Sequence, residues 1–220
     1  MSAGAIRAVV FDLDGTLVDT EASWAQAREA LTVRAGGTWP PGAHETMMGM
    51  SSTEWTLHMH EELAVALSPP QILEAIVDEL GQLFRAGLPL LPGALEAVDA
   101  AATVGPLAVA SSSPAALIEL VLELTGVHDR FAAVLSSEEV ARGKPSPDVF
   151  LEACVRLGVA PHEAAAVEDS EAGLEAALAA GMRVVAVPSP HFPPDAAVLD
   201  RGVAGLDTIE QLTPAVLRGD

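Results

Sequence analysis

Two aspartates stand one residue apart at the end of an apolar run in "VVFDLDGTLVDT", where Asp12 and Asp14 flank Leu13 and Gly15 follows at once. In extended backbone, residues i and i+2 share a face, so the two carboxylates can approach to within about 7 Å. At an effective dielectric near 20 such a pair repels by roughly 2 kcal/mol. A cation reverses the sign, and magnesium suits the purpose because it takes a few carboxylates, keeps several waters and accepts phosphate oxygens. Taken alone, the pair is equally readable as solvated turn residues ahead of Gly15.

Three other places carry polar groups at the ends of apolar runs. Ser111, Ser112 and Ser113 follow "LAVA", and Glu168 and Asp169 follow "AAAV". Each has a plain structural account. Ser113 precedes Pro114 as a helix N-cap would, and acids at the start of a helix favour its macrodipole. Those accounts leave two serine hydroxyls unused, beside a helix N-terminus suited to an anion. Lys144, in "ARGKPSPD", is the only lysine in the chain against ten arginines. A compact ammonium near several carboxylates would neutralise a bound phosphate.

The elements that must position these residues alternate. "IRAVVFD", "LAVAS", "AAVLS", "AAAVE" and "RVVAV" read as buried strands, separated by helical stretches from residue 90 onward. Ser113-Pro114 and Ser146-Pro147 mark helix starts, and Gly126, Gly158 and Gly181 mark helix ends. Right-handed crossovers leave parallel strands pointing one way, so all the polar groups above fall on one edge of the sheet, where ligands bind. Residues 18–88 instead read as helical, with "GGTWPPG" and "MMGMSST" as loop signals between the helices. The predicted architecture is therefore α/β, a Rossmann-like parallel-sheet core of residues 1–17 and 89–220, interrupted after its first strand by an all-helical cap of residues 18–88.

With "FDLDGTLVDT", "LAVASSSP", "GKPSPDVF" and "VEDSEAGLEAALAAG" in this order, the chain resembles the haloacid dehalogenase superfamily, in particular its small-metabolite phosphatases and β-phosphoglucomutase with a helical cap. The resemblance implies that Asp12 is the nucleophile forming an aspartyl-phosphate, and that Asp14 is the general acid and base. It implies phosphate binding by Ser111, Ser112 and Lys144, and magnesium bound through Asp12, Asp169 and the Asp14 backbone carbonyl, with Glu168 ligating or orienting. Cap residues Trp24, Gly49, Met50, Ser51 and Ser52 would set specificity. Dehalogenases of the superfamily lack an acid two residues after the nucleophile, and phosphonatases use a cap lysine that is missing here. A mutase cap carries a histidine and an arginine where this chain has Trp24 and Ser52. A phosphatase of small phosphorylated metabolites is thus expected, with a mutase-like transferase and a non-catalytic binding protein as the alternatives.

Composition excludes several classes. Thirty-one acids face eleven bases, a net charge of −20, which argues against a nucleic-acid partner. No apolar run approaches the roughly 18 residues of a spanning helix, and no signal-peptide pattern opens the chain. A single cysteine, Cys154, excludes an internal disulfide, and its apolar helical context predicts a buried thiol. The absence of asparagine removes every N-glycosylation acceptor. A cytoplasmic monomer is the expectation.

Overall fold

The computed structural model describes residues 5–48, 50–187 and 193–220. The strands β1 (Ala8–Phe11), β2 (Leu107–Ser111), β3 (Phe131–Ser136), β4 (Ala164–Glu168), β5 (Arg183–Ala186) and β6 (Ala204–Gly205) form one parallel sheet. Their order is β3-β2-β1-β4-β5-β6. Five correspond to the apolar runs, while β6, a two-residue edge strand, has no run long enough to announce it.

Helices cover both faces, which is why the strands lack clean alternation. Val9 and Phe11 of β1 face α5 (Ala94–Ala102) and α6 (Ala115–Thr125) through Val98, Ile118 and Leu122. Ala8 and Val10 face α7 (Asp148–Leu157) and α8 (Glu171–Ala180) through Phe150, Cys154 and Leu174. Cys154 is buried as its helical context predicts. Gly126, Gly158 and Gly181 sit at the helix ends in left-handed conformations. The starts differ by one residue from expectation: Pro114 and Pro147 occupy the N-cap position itself, leaving Ser113 and Ser146 outside the helix.

Between β1 and α5 run α1 (Glu21–Arg34), α2 (Ala43–Met47), α3 (Ser52–Glu61) and α4 (Pro69–Ala86). In α4, Ile72, Ile76, Leu80 and Phe84 recur every four residues and are all buried against α1 and α3, with Leu31, Trp55 and Met59 among their partners. Each such side chain contributes about 1.5–3 kcal/mol on burial, so this stripe holds α4 against α1 and α3. The two strands of chain that connect these helices to the sheet run side by side. Asp19 N–H donates to the Pro89 carbonyl (2.7 Å), and Leu91 N–H donates to the Leu17 carbonyl (3.0 Å). Among the described residues no helix is long and apolar enough to cross a membrane.

Candidate active site

Sheet order decides which side chains meet. Because β1 lies between β2 and β4, the residue after its carboxyl end, Asp12, emerges between Ser111 on one side and Glu168 and Asp169 on the other. Asp12 N–H donates to the Val167 carbonyl (2.9 Å), which fixes that emergence point. Lys144 arrives from the loop between β3 and α7. Its Nζ donates to Asp12 Oδ1 (2.5 Å) and Glu168 Oε1 (2.6 Å), and lies 5.0 Å from the centre of the Phe150 ring. All three charged groups are buried. Burial works against the lysine's charge, but Asp12 and Glu168 outweigh it and raise its pKa.

Glu168 is held from every side. Its Oε2 accepts from Asp169 N–H (3.0 Å), Ser170 N–H (3.1 Å) and the Ser170 hydroxyl (3.0 Å). Ser170 in turn caps α8 by accepting from Gly173 N–H. Gly173 is required for this nesting, since a Cβ there would overlap the Glu168 carboxylate. Gly15, with φ of 81°, plays the same part for Asp169: a Cβ would overlap that carboxylate, and a side chain is disfavoured at this φ in any case.

Asp12, Glu168 and Asp169 each offer an oxygen within 4.8 Å of the others. Burial pushes the Asp12 carboxyl up, Lys144 pulls it back, and Glu168 and Asp14 push it up again, to about 8. Burial, Glu168 and Asp12 likewise raise Asp169 well above the usual carboxylate range. One ammonium thus leaves this cluster short of positive charge. The donors are all oxygen and closely gathered, which fits a hard divalent cation.

The Asp14 carboxylate turns away from that cluster. Its Oδ1 accepts from the Thr20 hydroxyl (2.5 Å) and the Trp24 indole N–H (3.3 Å), and its Oδ2 from the hydroxyls of Ser113 (2.6 Å) and Ser111 (3.4 Å). Ser113 is therefore an Asp14 ligand rather than the helix cap its place before Pro114 suggests. Thr20 carries no signal in the sequence that would have singled it out.

Above these groups opens a cleft of about 530 Å³, walled by the carboxyl edge of the sheet and by α1, α2 and α3. Ser112, Lys144, Trp24 and Met50 all line it. Ser51 and Ser52 are not part of its wall. Ser51 instead forms a capping box with Glu54, accepting from Glu54 N–H while the Glu54 carboxylate accepts from Ser51 N–H, and Ser52 is buried in the first turn of α3. Gly49 lies outside the described residues. Three wall residues were not anticipated as functional. Arg28 lies in the angle between Trp24 and Trp55, its Cζ 4.6 and 5.1 Å from their ring centres. Glu21 Oε2 and His44 Nε2 are 2.6 Å apart.

Comparison with known proteins agrees with this geometry. A family model described as haloacid dehalogenase-like hydrolase matches residues 6–181. The chain is 31% identical over 225 residues to hexitol phosphatase B of Escherichia coli O157:H7, covering 97% of each chain. It is 35% identical over 190 residues to a probable pseudouridine-5'-phosphatase of Drosophila melanogaster, covering 83% of this chain and 82% of that one. CbbY from Rhodobacter sphaeroides in complex with xylulose-(1,5)bisphosphate superposes with a TM-score of 0.84 at 26% identity, covering 96% of this chain and 99% of the other. The parallel sheet with its carboxylates gathered at one edge, and the family match over most of the length, make this chain a member of the haloacid dehalogenase-like hydrolase family.

Proposed function

We propose that this protein is a magnesium-dependent phosphatase that hydrolyses a small phosphorylated metabolite through an aspartyl-phosphate on Asp12. The observation that carries the reading is the meeting, at the floor of one cleft, of the Asp12 carboxylate, a lysine 2.5 Å from it, the Ser111 hydroxyl, and an all-oxygen acid cluster. Relatives named as phosphatases of a hexitol and of pseudouridine-5'-phosphate support it.

In this reading an Asp12 oxygen attacks phosphorus as the bond to the ester oxygen breaks, and Asp14 gives that leaving oxygen its proton. Asp14, now a carboxylate, then takes a proton from the water that attacks the aspartyl-phosphate, releasing inorganic phosphate and restoring Asp12. Lys144 and the hydroxyls of Ser111 and Ser112 hold the phosphoryl oxygens as charge redistributes over them. The carboxylates of Asp12, Asp169 and Glu168 with the Asp14 backbone carbonyl would hold magnesium, which supplies positive charge to the phosphoryl group. Residues 18–88 act as a cap hinged at the paired connections near Leu17 to Asp19 and Leu88 to Pro92, excluding bulk water during phosphoryl transfer to Asp12 and admitting the hydrolytic water afterwards.

The test is phosphate release from a panel of sugar and polyol monophosphates with magnesium and after chelation. Turnover stops on chelation, and Asp12→Asn lowers it by on the order of 1,000-fold or more in a protein with unchanged circular dichroism. Near-normal turnover in that variant removes Asp12 from the nucleophile's role.

A further inference from the structure

Resting on the phosphatase reading, we propose that Ser113 is a positioning residue for the proton transfers of that reaction, its hydroxyl fixing Asp14 Oδ2 as the oxygen that serves the leaving group. Ser113 is not one of the phosphate ligands in that reading, and its place before Pro114 suggests no more than a helix cap. Its bonds run elsewhere. The hydroxyl donates to Asp14 Oδ2 (2.6 Å), the N–H donates to Ser111 Oγ (3.0 Å), and the carbonyl accepts from the Ser136 hydroxyl (2.7 Å). Asp14 follows β1, Ser111 ends β2 and Ser136 ends β3. Three neighbouring strands of the sheet therefore fix this buried serine, and the helix that comes after it does not.

The donors around Asp14 define what this bond does. A carboxylate has about four lone-pair directions, and four groups occupy them, Thr20 and Trp24 on Oδ1 and Ser113 and Ser111 on Oδ2. One of the four must withdraw before a leaving oxygen can share a proton with Asp14. Ser111 stands at the longest distance, 3.4 Å, and its hydroxyl is the one for which a phosphoryl oxygen competes. The Ser113 N–H already takes an acceptor direction of Ser111 Oγ, which leaves the single Ser111 proton facing outward, toward Asp14 in the free protein and toward phosphate when substrate binds. The direction then released on Oδ2 faces the phosphoryl group, because that is where Ser111 Oγ stands. Ser113 holds the same oxygen in place meanwhile. It does so in either protonation state, since a protonated carboxyl oxygen can still accept a bond. Thr20 and Trp24 grip only Oδ1, and a carboxyl group held at one oxygen can swing the other out of line, where a misplacement of about 1 Å is enough to lose much of the rate.

Ser113→Ala removes the hydroxyl but keeps the N–H that sets Ser111, so it separates proton transfer from phosphate binding. An alkoxide needs a proton as it leaves, whereas p-nitrophenolate departs as a stable anion. Two substrates read the difference: p-nitrophenyl phosphate, and the sugar or polyol monophosphate that the wild type turns over best. The ratio of kcat/KM on the alkyl ester to that on the aryl ester falls by about 10–100-fold in Ser113→Ala, the worth of one hydrogen bond to a charged group. Because kcat/KM covers only the steps up to release of the leaving group, the later attack of water, common to both esters, does not enter it. Inhibition by inorganic phosphate keeps its wild-type constant. A merely structural role would lower both activities together and leave the ratio alone. A ratio unchanged by the substitution, or a loss that appears in phosphate inhibition instead, overturns the role of Ser113. So does a wild type that cleaves the aryl ester and no alkyl ester, since no acid is then at work. Absence of turnover on every ester is a separate failure, which removes the phosphatase reading and this role with it.

Discussion

Replacing Gly173 by alanine tests whether the Glu168 carboxylate is fixed as tightly as its surroundings imply. In an ordinary helix the change would stabilise, by up to about 1 kcal/mol, because glycine is the poorer helix former. In α8 the new Cβ overlaps the Glu168 carboxylate, which is tied to Lys144, to two backbone N–H groups and to the Ser170 hydroxyl. Hydrogen bonds to a charged group are each worth about 1.5–3 kcal/mol, so losing one or two outweighs the helical gain and leaves a net destabilisation of roughly 2–4 kcal/mol. For a domain of this size that is a fall in Tm of about 4–16 °C. Gly81→Ala is the control. It too lies inside a helix, but there the added methyl meets first the end of the Arg85 side chain at 3.1 Å, which can swing aside. Gly81→Ala therefore leaves Tm unchanged or raises it. Differential scanning calorimetry on the two variants decides the matter: a Gly173→Ala protein as stable as the wild type would mean that Glu168 has room to move, and the rigid placing of Lys144 would fail with it.

Two further outcomes follow from the buried groups. Lys144→Met leaves Asp12 and Glu168 facing each other without their shared cation, and costs about 3–5 kcal/mol in urea unfolding, as breaking a buried pair does. The folded Asp12 carboxyl, already raised to about 8, loses the lysine's pull and binds its proton more tightly than the unfolded chain does. The variant's deficit therefore shrinks as pH falls toward 8 and levels off below it, where the wild-type carboxyl takes up its own proton, and a deficit that grew on acidification would reverse the assignment. Cys154 is 1% exposed, and burial pushes its thiol up to about 11. At pH 8 roughly one molecule in a thousand carries the thiolate. An aromatic disulfide reagent should titrate one thiol in urea and essentially none in the native protein within the same time, and rapid native labelling would contradict the burial.

What the sequence made legible was the part of the site whose residues end apolar runs. Buried parallel strands need no partner in the local sequence to be recognised, and their carboxyl ends share an edge by topology, so Asp12, Ser111, Glu168 and Asp169 could be placed together before any contact was known. What stayed hidden depended on partners from other elements. Thr20 reaches Asp14 because its connection is pinned against residues 89–91, a path no local pattern describes. Arg28 is buried by Trp55, a residue from another helix, and an arginine on an amphipathic helix otherwise reads as solvated. Glu21 was hidden by a sufficient local account, an acid in the first turn of a helix. The serines show how such accounts divide. Ser51 keeps its bonds within its own capping box, whereas Ser113, which looked like a cap, spends its hydroxyl on Asp14 from a different strand. Ser170 does both, closing α8 and bonding Glu168. A capping motif therefore says nothing against a functional role. What separates the two is whether the side chain's partner belongs to its own turn or to another element, and that is set by sheet order, which the positions of the apolar runs suggest but only the folded chain fixes.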